Sequence, residues 1–257
     1  MKKSLLYLFY SALTFLFAVS IWEFVVMAGF INANLFSAPS SVFSAFVEMF
    51  NSGELLNNSI VSLYRVLIGF ILGGSVGIFL GILTGKIQSI NFSFGQLMHF
   101  LRNIPPIALV PLAIVWFGIG ESSKVFLIMW SVVFPVWINT HAGIVEIQKE
   151  YLWLAKIFEL NNFQTLKEII IPAASTFIIT GLRIGIGLAF IALIAAELAA
   201  SNSGIGFLIS NSHLLFRIDK MLAGILLLGV FGLLADKIFV FLSNKTIAWS
   251  LYDRRQN

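Results

Sequence analysis

Long apolar stretches separated by short polar breaks dominate the chain. Six of them, over about 5–30, 59–85, 97–117, 125–143, 172–197 and 221–243, reach the roughly 20 residues that a helix needs to cross a hydrocarbon core about 30 Å thick. One longer break, residues 148–172, is polar and helix-periodic. Tyr151, Leu154 and Phe158 recur at helical spacing there, while Lys149, Glu150, Lys156 and Glu159 point elsewhere, so the pattern predicts an amphipathic helix on a membrane surface. Asn161 and Asn162 predict a turn, because Asn tolerates the left-handed conformation. A second short helix through Phe163, Leu166 and Ile170 then leads to Pro172, which suits the first turn of the next span.

The prolines and glycines refine this picture. Pro105, Pro106, Pro111 and Pro135 must kink the third and fourth spans or sit where neighbouring helices satisfy the freed carbonyls. Gly69, Gly73, Gly77, Gly81 and Gly85 fall every fourth residue in the second span, aligning five glycines on one helix face. Such a stripe lets another helix approach backbone to backbone; the alternative is a pathway wall of bare backbone. Residues 39–50 predict a surface helix on the outer side, capped by Ser40 or Ser41.

Composition agrees with an all-α polytopic membrane protein. Of 257 residues 59% are hydrophobic and only 11% charged, against roughly 25% charged in soluble domains; mean hydropathy is +0.96. The absence of cysteine excludes disulfides, thiol catalysis and cysteine-based metal sites. Lys2, Lys3, Lys86, Lys149, Lys156, Lys167, Lys245, Arg254 and Arg255 fall on one side of a six-span arrangement, and Lys124, Arg217 and Lys220 on the other. This bias predicts both termini and the 148–172 loop in the cytoplasm, and it accounts for the net charge of +4 without nucleic acid. Lys2 and Lys3 ahead of an apolar run resemble a signal peptide, but the run lacks a small-x-small cleavage site and is expected to stay as the first span. No internal repeat or linker divides the chain, so one domain over 1–257 is expected.

No catalytic constellation is present. The stretch from Gly81 to Lys86 approaches a phosphate loop, yet its first glycine is one position out and Ile87 stands where Ser or Thr must hold magnesium. His99, His141 and His213 lie in separate segments without a second ligand at metal spacing. Ionisable residues inside spans are costly and mark candidates for function: Glu23, Arg65, Arg183, Glu197 and Asp236. Arg65 and Glu197 are expected near outer helix ends, where snorkelling lowers the cost, and Asp236 beside Lys237 or a basic group on another helix. Arg183, deep in the fifth span beside Gly181, Gly185 and Gly187, is the sharpest candidate for a cation facing a cavity.

Six colinear blocks carry a family resemblance: SAPSSV at 37–42, GELLNNSIVSLYRVLIGF at 53–70, RNIPPIALVPLAIVWFGIGESSKVFL at 102–127, FPVWINTHAGI at 134–144, ITGLRIGIGLAF at 179–190 and AELAASNSGIGFLI at 196–209. The chain resembles the permease subunits of binding-protein-dependent ABC importers, the branch serving nitrate, taurine, alkanesulfonates and thiamine-precursor pyrimidines. The 148–172 loop is similar to the one with which these permeases dock onto their ATPase. Ile169, Ile171 and Pro172 take the places of its Ile-x-Leu-Pro end, and Ala155 that of its second alanine. The chain departs from the pattern at Trp153, Leu154 and Glu159, which replace the usual Glu, Ala and Gly; loss of the glycine leaves the turn geometry open.

The resemblance implies the type I importer permease fold. It also implies two permease copies, two ATPase subunits that carry ATP and magnesium, and an external binding protein that delivers a small polar or anionic solute. The chain itself would hold no cofactor. Tyr151, Trp153, Leu154, Ala155, Phe158, Glu159, Ile169 and Pro172 would then form the ATPase contact, with Arg65, Arg183 and Glu197 along the pathway. A self-sufficient ion-coupled transporter is the alternative class, and its carboxylates would need to form a relay; those in this sequence are scattered.

Overall fold

The computed structural model describes residues 2–32 and 35–246, and every regular element among them is helical. Arg254 and Arg255 lie outside the described residues, as do the side chains of Lys2, Lys3 and Lys245. The helices are α1 (Lys2–Met27), α2 (Pro39–Asn51), α3 (Glu54–Lys86), α4 (Gln88–Leu101), α5 (Pro106–Phe117), α6 (Glu121–Val145), α7 (Lys149–Ile157), α8 (Asn162–Ala199), α9 (Ile205–Leu214) and α10 (Ile218–Thr246). Helices α3, α6, α8 and α10 are each long and apolar enough to cross a membrane, and α4 with α5 makes one further span bent by 88°. These are the spans of an all-α polytopic membrane protein, up to five among the described residues, and α1, a 26-residue helix with a shorter apolar stretch over Leu13–Met27, stands where the first span was expected.

Residues 1–61 and 202–229 form one compact unit. In it, α2 starts at Ala38 with Pro39 in its first turn, so neither Ser40 nor Ser41 is the cap. The Glu23 carboxylate of α1 does that work instead, accepting from the Ser40 amide at 3.0 Å and its hydroxyl at 2.7 Å. A negative group at a helix N-terminus satisfies amides that have no intrahelical partner. Arg217 and Lys220 both reach Glu48, at 2.8 and 3.0 Å, and hold its carboxyl below the usual carboxylate range.

Among the described residues, 62–201 and 230–246 form the second unit. Its frame is the contact between α3 and α6. Cβ atoms added at Gly69, Gly73, Gly77, Gly81 and Gly85 would lie 2.5 to 2.8 Å from Ile128, Val132 or the Met129 carbonyl, Val136 or the Val133 carbonyl, Thr140, and Ile144 respectively. The facing side chains also recur every fourth residue, and all five are β-branched, hence stiff at χ1. Rigid ridges on α6 therefore enter a groove that only glycine leaves open. Because residue numbers rise together along both helices, α3 and α6 run parallel.

Two parallel spans in sequence require a return crossing between them, and α4–α5 supplies it. Met98 packs with Val133 and Trp137, the Trp130 indole reaches the Ile104 carbonyl at 3.4 Å, and Val110 and Ala113 pack on Leu127, so this segment descends α6. The third span expected over 97–117, with a kink at its prolines, is thus two helices meeting at 88°. Residues 102–105 break it, since Pro105 and Pro106 lack the amides a continuous helix needs. Pro135 behaves otherwise: α6 runs straight through it, and Asn139 donates to its carbonyl at 2.8 Å. Helix α8 packs antiparallel to α6, with Gly143 under Phe177, Gly181 against Pro135 and Asn139, and Gly185 near Val132.

Gly77→Ala puts a methyl onto the Val133 carbonyl and Val136, whereas Gly187→Ala on α8 meets nothing within 4 Å. We expect Gly77→Ala to lose about 1–3 kcal/mol, the usual cost of overpacking, and Gly187→Ala to be neutral. Thermal unfolding in detergent measures both, and equal melting temperatures would remove the close-packing account.

Candidate functional sites

The 148–172 loop is built from α7, a tight turn and the first turns of α8. Helix α7 ends in a Schellman motif: the Glu159 amide donates to the Lys156 carbonyl at 3.1 Å and the Leu160 amide to the Ala155 carbonyl at 3.0 Å. Glu159 itself is left-handed, with φ of 50°. The turn therefore stays at the position where the resembling loops carry glycine, and the expected shift to Asn161 and Asn162 does not occur. Asn161 instead caps α8, accepting from the amides of Phe163 and Gln164, while Gln164 reaches back to the Asn161 amide at 2.9 Å.

The predicted second short helix is the beginning of α8, which continues through a π-helical turn at Thr165–Ile170 into the membrane span. Ile170 is buried with Ile144, Ala174 and Ile178, and Ile147 and Leu166 pack on that cluster, which roots the loop in the bundle. Ala155 is buried, and Ile169 and Pro172 are half-buried. The remaining large apolar groups face outward: Tyr151, Trp153, Leu154 and Phe158 are exposed, Phe158 at 71%.

Arg65 and Glu197 do not snorkel. Both side chains are fully buried and paired at 2.6 Å, from α3 to α8. The Arg65 fork also takes Glu121 of α6, through Nε at 2.6 Å and Nη2 at 2.5 Å; the Ser62 hydroxyl donates to Glu197 at 2.8 Å, and Lys124 reaches Glu121 at 3.3 Å. Two cations and two carboxylates thus tie three spans together with no net charge. Lys124, counted among the loop cations from sequence, is a buried member of this network.

Arg183 is paired as well. Its guanidinium donates to Asp236 of α10 through Nε at 2.7 Å and Nη2 at 3.0 Å. Asp236 therefore finds its partner on α8 rather than in Lys237. The pair is half-exposed, at 55% and 42%, but presents no net positive potential. His99 and His141 both lie against Trp137, and His141 meets the Thr84 hydroxyl at 3.0 Å.

Sequence reasoning passed over Arg102. In the sequence it is one residue of a colinear block within the third span, but it sits at the elbow between α4 and α5, on the edge of a cavity of about 400 Å³. Arg102 is exposed, and among the described residues its side chain makes no hydrogen bond or ion pair. The signal that could have found it is Arg102 three residues before Pro105 and Pro106 inside a stretch long enough to span.

Removing one partner of a buried ion pair leaves an uncompensated charge and typically costs about 3–5 kcal/mol, whereas exposed pairs are worth about 1 kcal/mol or less. Glu197→Gln should fall in the first range, and Glu121→Gln, whose side chain is 52% exposed, should cost less than half as much. Thermal unfolding of the two purified variants checks the order; a reversal would mean that Glu121 carries the network.

With these sites in place, comparison with known proteins is informative. Residues 73–247 match the family described as binding-protein-dependent transport system inner membrane component. A Bacillus subtilis permease assigned to aliphatic sulfonates transport is 34% identical over 231 residues, covering 90% of this chain and 84% of its own. The nitrate import permease of a Synechocystis strain is 35% identical over 186 residues, covering 72% and 68%. Among solved structures, an inward-facing form of the MetNI methionine ABC transporter superposes with a TM-score of 0.62 over 73% of this chain and 92% of that one, at 13% identity, which speaks to fold alone. A family match across most of the membrane region, relatives colinear with nearly the whole chain, and a shared fold agree: this chain belongs to the inner-membrane permease components of binding-protein-dependent ABC importers.

Proposed function

We propose that the chain is the translocation subunit of an ATP-driven importer for a small anionic solute, and that its 148–172 loop is where a separate ATPase subunit docks. The single observation that carries this reading is the outward apolar face of Tyr151, Trp153, Leu154, Phe158 and Phe163 on a loop rooted through Ile170 in the bundle. Several large apolar groups left exposed on one short, rooted loop mark a protein contact. ATP and magnesium belong to the ATPase, and the hydrolytic chemistry with them. The loop and both chain termini face the cytoplasm on this reading, as the lysine bias requires. A second copy of the permease completes the pathway, and an external binding protein delivers the solute. Relatives that carry sulfonates and nitrate support an oxyanion as cargo.

The departures from the usual loop also fit docking. Glu159 keeps the left-handed turn without glycine, so the helix-turn-helix shape survives at a backbone cost of about 1–2 kcal/mol. Trp153 in place of a carboxylate exchanges a charge contact for apolar area.

Leu154→Asp and Phe158→Asp alter exposed side chains, so folded yield should hold while a charge is forced into the contact, at a cost of several kcal/mol once desolvated. The ATPase encoded with this permease should then fail to co-purify. Wild-type recovery of ATPase with both variants would remove the docking assignment.

A further inference from the structure

The depth of Arg102 follows from what its cavity touches. The walls include Trp130, Ser131, Phe134 and Pro135, at the middle of α6, and Leu188 and Ile191, in the body of α8. Both helices span the membrane, so the elbow lies near the bilayer midplane. The nearest interface is then about 15 Å away, half of a core about 30 Å thick, which is more than an arginine stem can snorkel. An arginine at that depth must be paired or face water. Arg65 pairs with Glu197 and Glu121, and Arg183 with Asp236. Arg102 alone of these intramembrane arginines has no side-chain partner among the described residues, and it is exposed at a cavity.

We propose that this elbow cavity is a subsite for the anionic group of the transported solute, with Arg102 as its counter-charge. This rests on the importer reading above. A volume of about 400 Å³ lies within the roughly 300–1,000 Å³ of small-molecule sites. Trp130 and Phe134 offer an apolar wall for an organic tail, while Asn103 and Ser131 add polar groups beside the guanidinium. One uncompensated positive charge matches a monoanion: a sulfonate, carboxylate, nitrate or bicarbonate. The planar guanidinium fork suits the paired oxygens of such groups. The break at Pro105 and Pro106 is what makes the site, because a straight α4–α5 would carry the Arg102 backbone inside a continuous helix rather than at an open corner.

The chain has no cysteine, so Asn103→Cys in the assembled, vesicle-reconstituted complex gives this subunit a single thiol at the elbow. The probes are the anionic sulfonatoethyl and the cationic trimethylammonioethyl methanethiosulfonates, each of which leaves a mixed disulfide and releases methanesulfinate. After normalisation to free thiol, the anionic reagent should react several-fold faster. Arg102→Gln should abolish that preference, and Arg102→Lys should keep it. Sodium ethanesulfonate should slow labelling, whereas equimolar ethyl methyl sulfone, which is uncharged, should not. Equal rates for the two reagents, a preference that survives Arg102→Gln, or no labelling at all because a second copy or lipid seals the elbow would each overturn the subsite. ATP-driven anion uptake is measured on complexes lacking the cysteine. Uptake with an unbiased thiol overturns the subsite alone, and a biased thiol without uptake overturns the importer reading alone.

Discussion

The backbone contact between the glycine face of α3 and the β-branched ridge of α6 fixes what the remainder of the second unit can do. In a bilayer no water is released when helices meet, so association depends on close van der Waals contact, which small residues permit. Five glycines in register with Ile128, Val132, Val136, Thr140 and Ile144 lock the two helices parallel. Parallel neighbours in sequence cannot be joined by a short loop. The chain must cross back between them, and it does so with the broken pair α4–α5 instead of a straight helix. The elbow at residues 102–105 is thus a consequence of the parallel pair together with the two prolines.

Charge obeys the same economy of alternatives. Away from water, a guanidinium is tolerated when a carboxylate lies within hydrogen-bond reach or when a cavity brings water to it. The Arg65, Lys124, Glu121 and Glu197 network uses the first solution where α3, α6 and α8 meet, and the Arg183–Asp236 pair uses it between α8 and α10. These pairs argue against an ion-coupled relay within the chain, since each carboxylate is committed to a cation rather than spaced along a path. Arg102 uses the second solution.

What the sequence revealed, and what it hid, divides along the range of the interactions involved. Spans, the glycine stripe and the amphipathic α7 are set by local periodicity, and each is visible in a window of a few turns. The partner of the stripe was not, because the β-branched ridge on α6 begins 59 residues after the glycines it meets and looks like any apolar helix. Asp236 lies 53 residues from Arg183, so the sequence left two partners open, Lys237 beside it and a basic group on another helix, and the distant one is the partner. Glu23 capping α2 is the same kind of event across 17 residues. Glu159 misled for a different reason: left-handed propensity favoured Asn161 and Asn162, but the Schellman hydrogen bonds to Ala155 and Lys156 fix the turn two residues earlier. Arg102 was passed over because an apolar stretch long enough to span predicts one kinked helix, and only the 88° bend sets Arg102 at an open corner.

Helix α8 brings these pieces onto one element. It begins at the Asn161 cap beside the exposed loop, carries Arg183 in its body and ends with Glu197 in the buried network, over 38 residues or about 57 Å at the usual helical rise. Its lower turns are fixed to α6 by Ile170, Ala174 and Ile178, and Gly181 and Gly185 bring its middle against the α6 backbone. A force applied to the loop therefore reaches the Arg65 network along a continuous hydrogen-bonded rod rather than through a chain of side-chain contacts. The π-helical turn at Thr165–Ile170 gives that rod a looser hydrogen-bond pattern at the turn where Leu166 and Ile170 join the packed cluster. Leu188 and Ile191 of the same helix form one wall of the elbow cavity, so the rod rooted at the loop also carries part of that cavity.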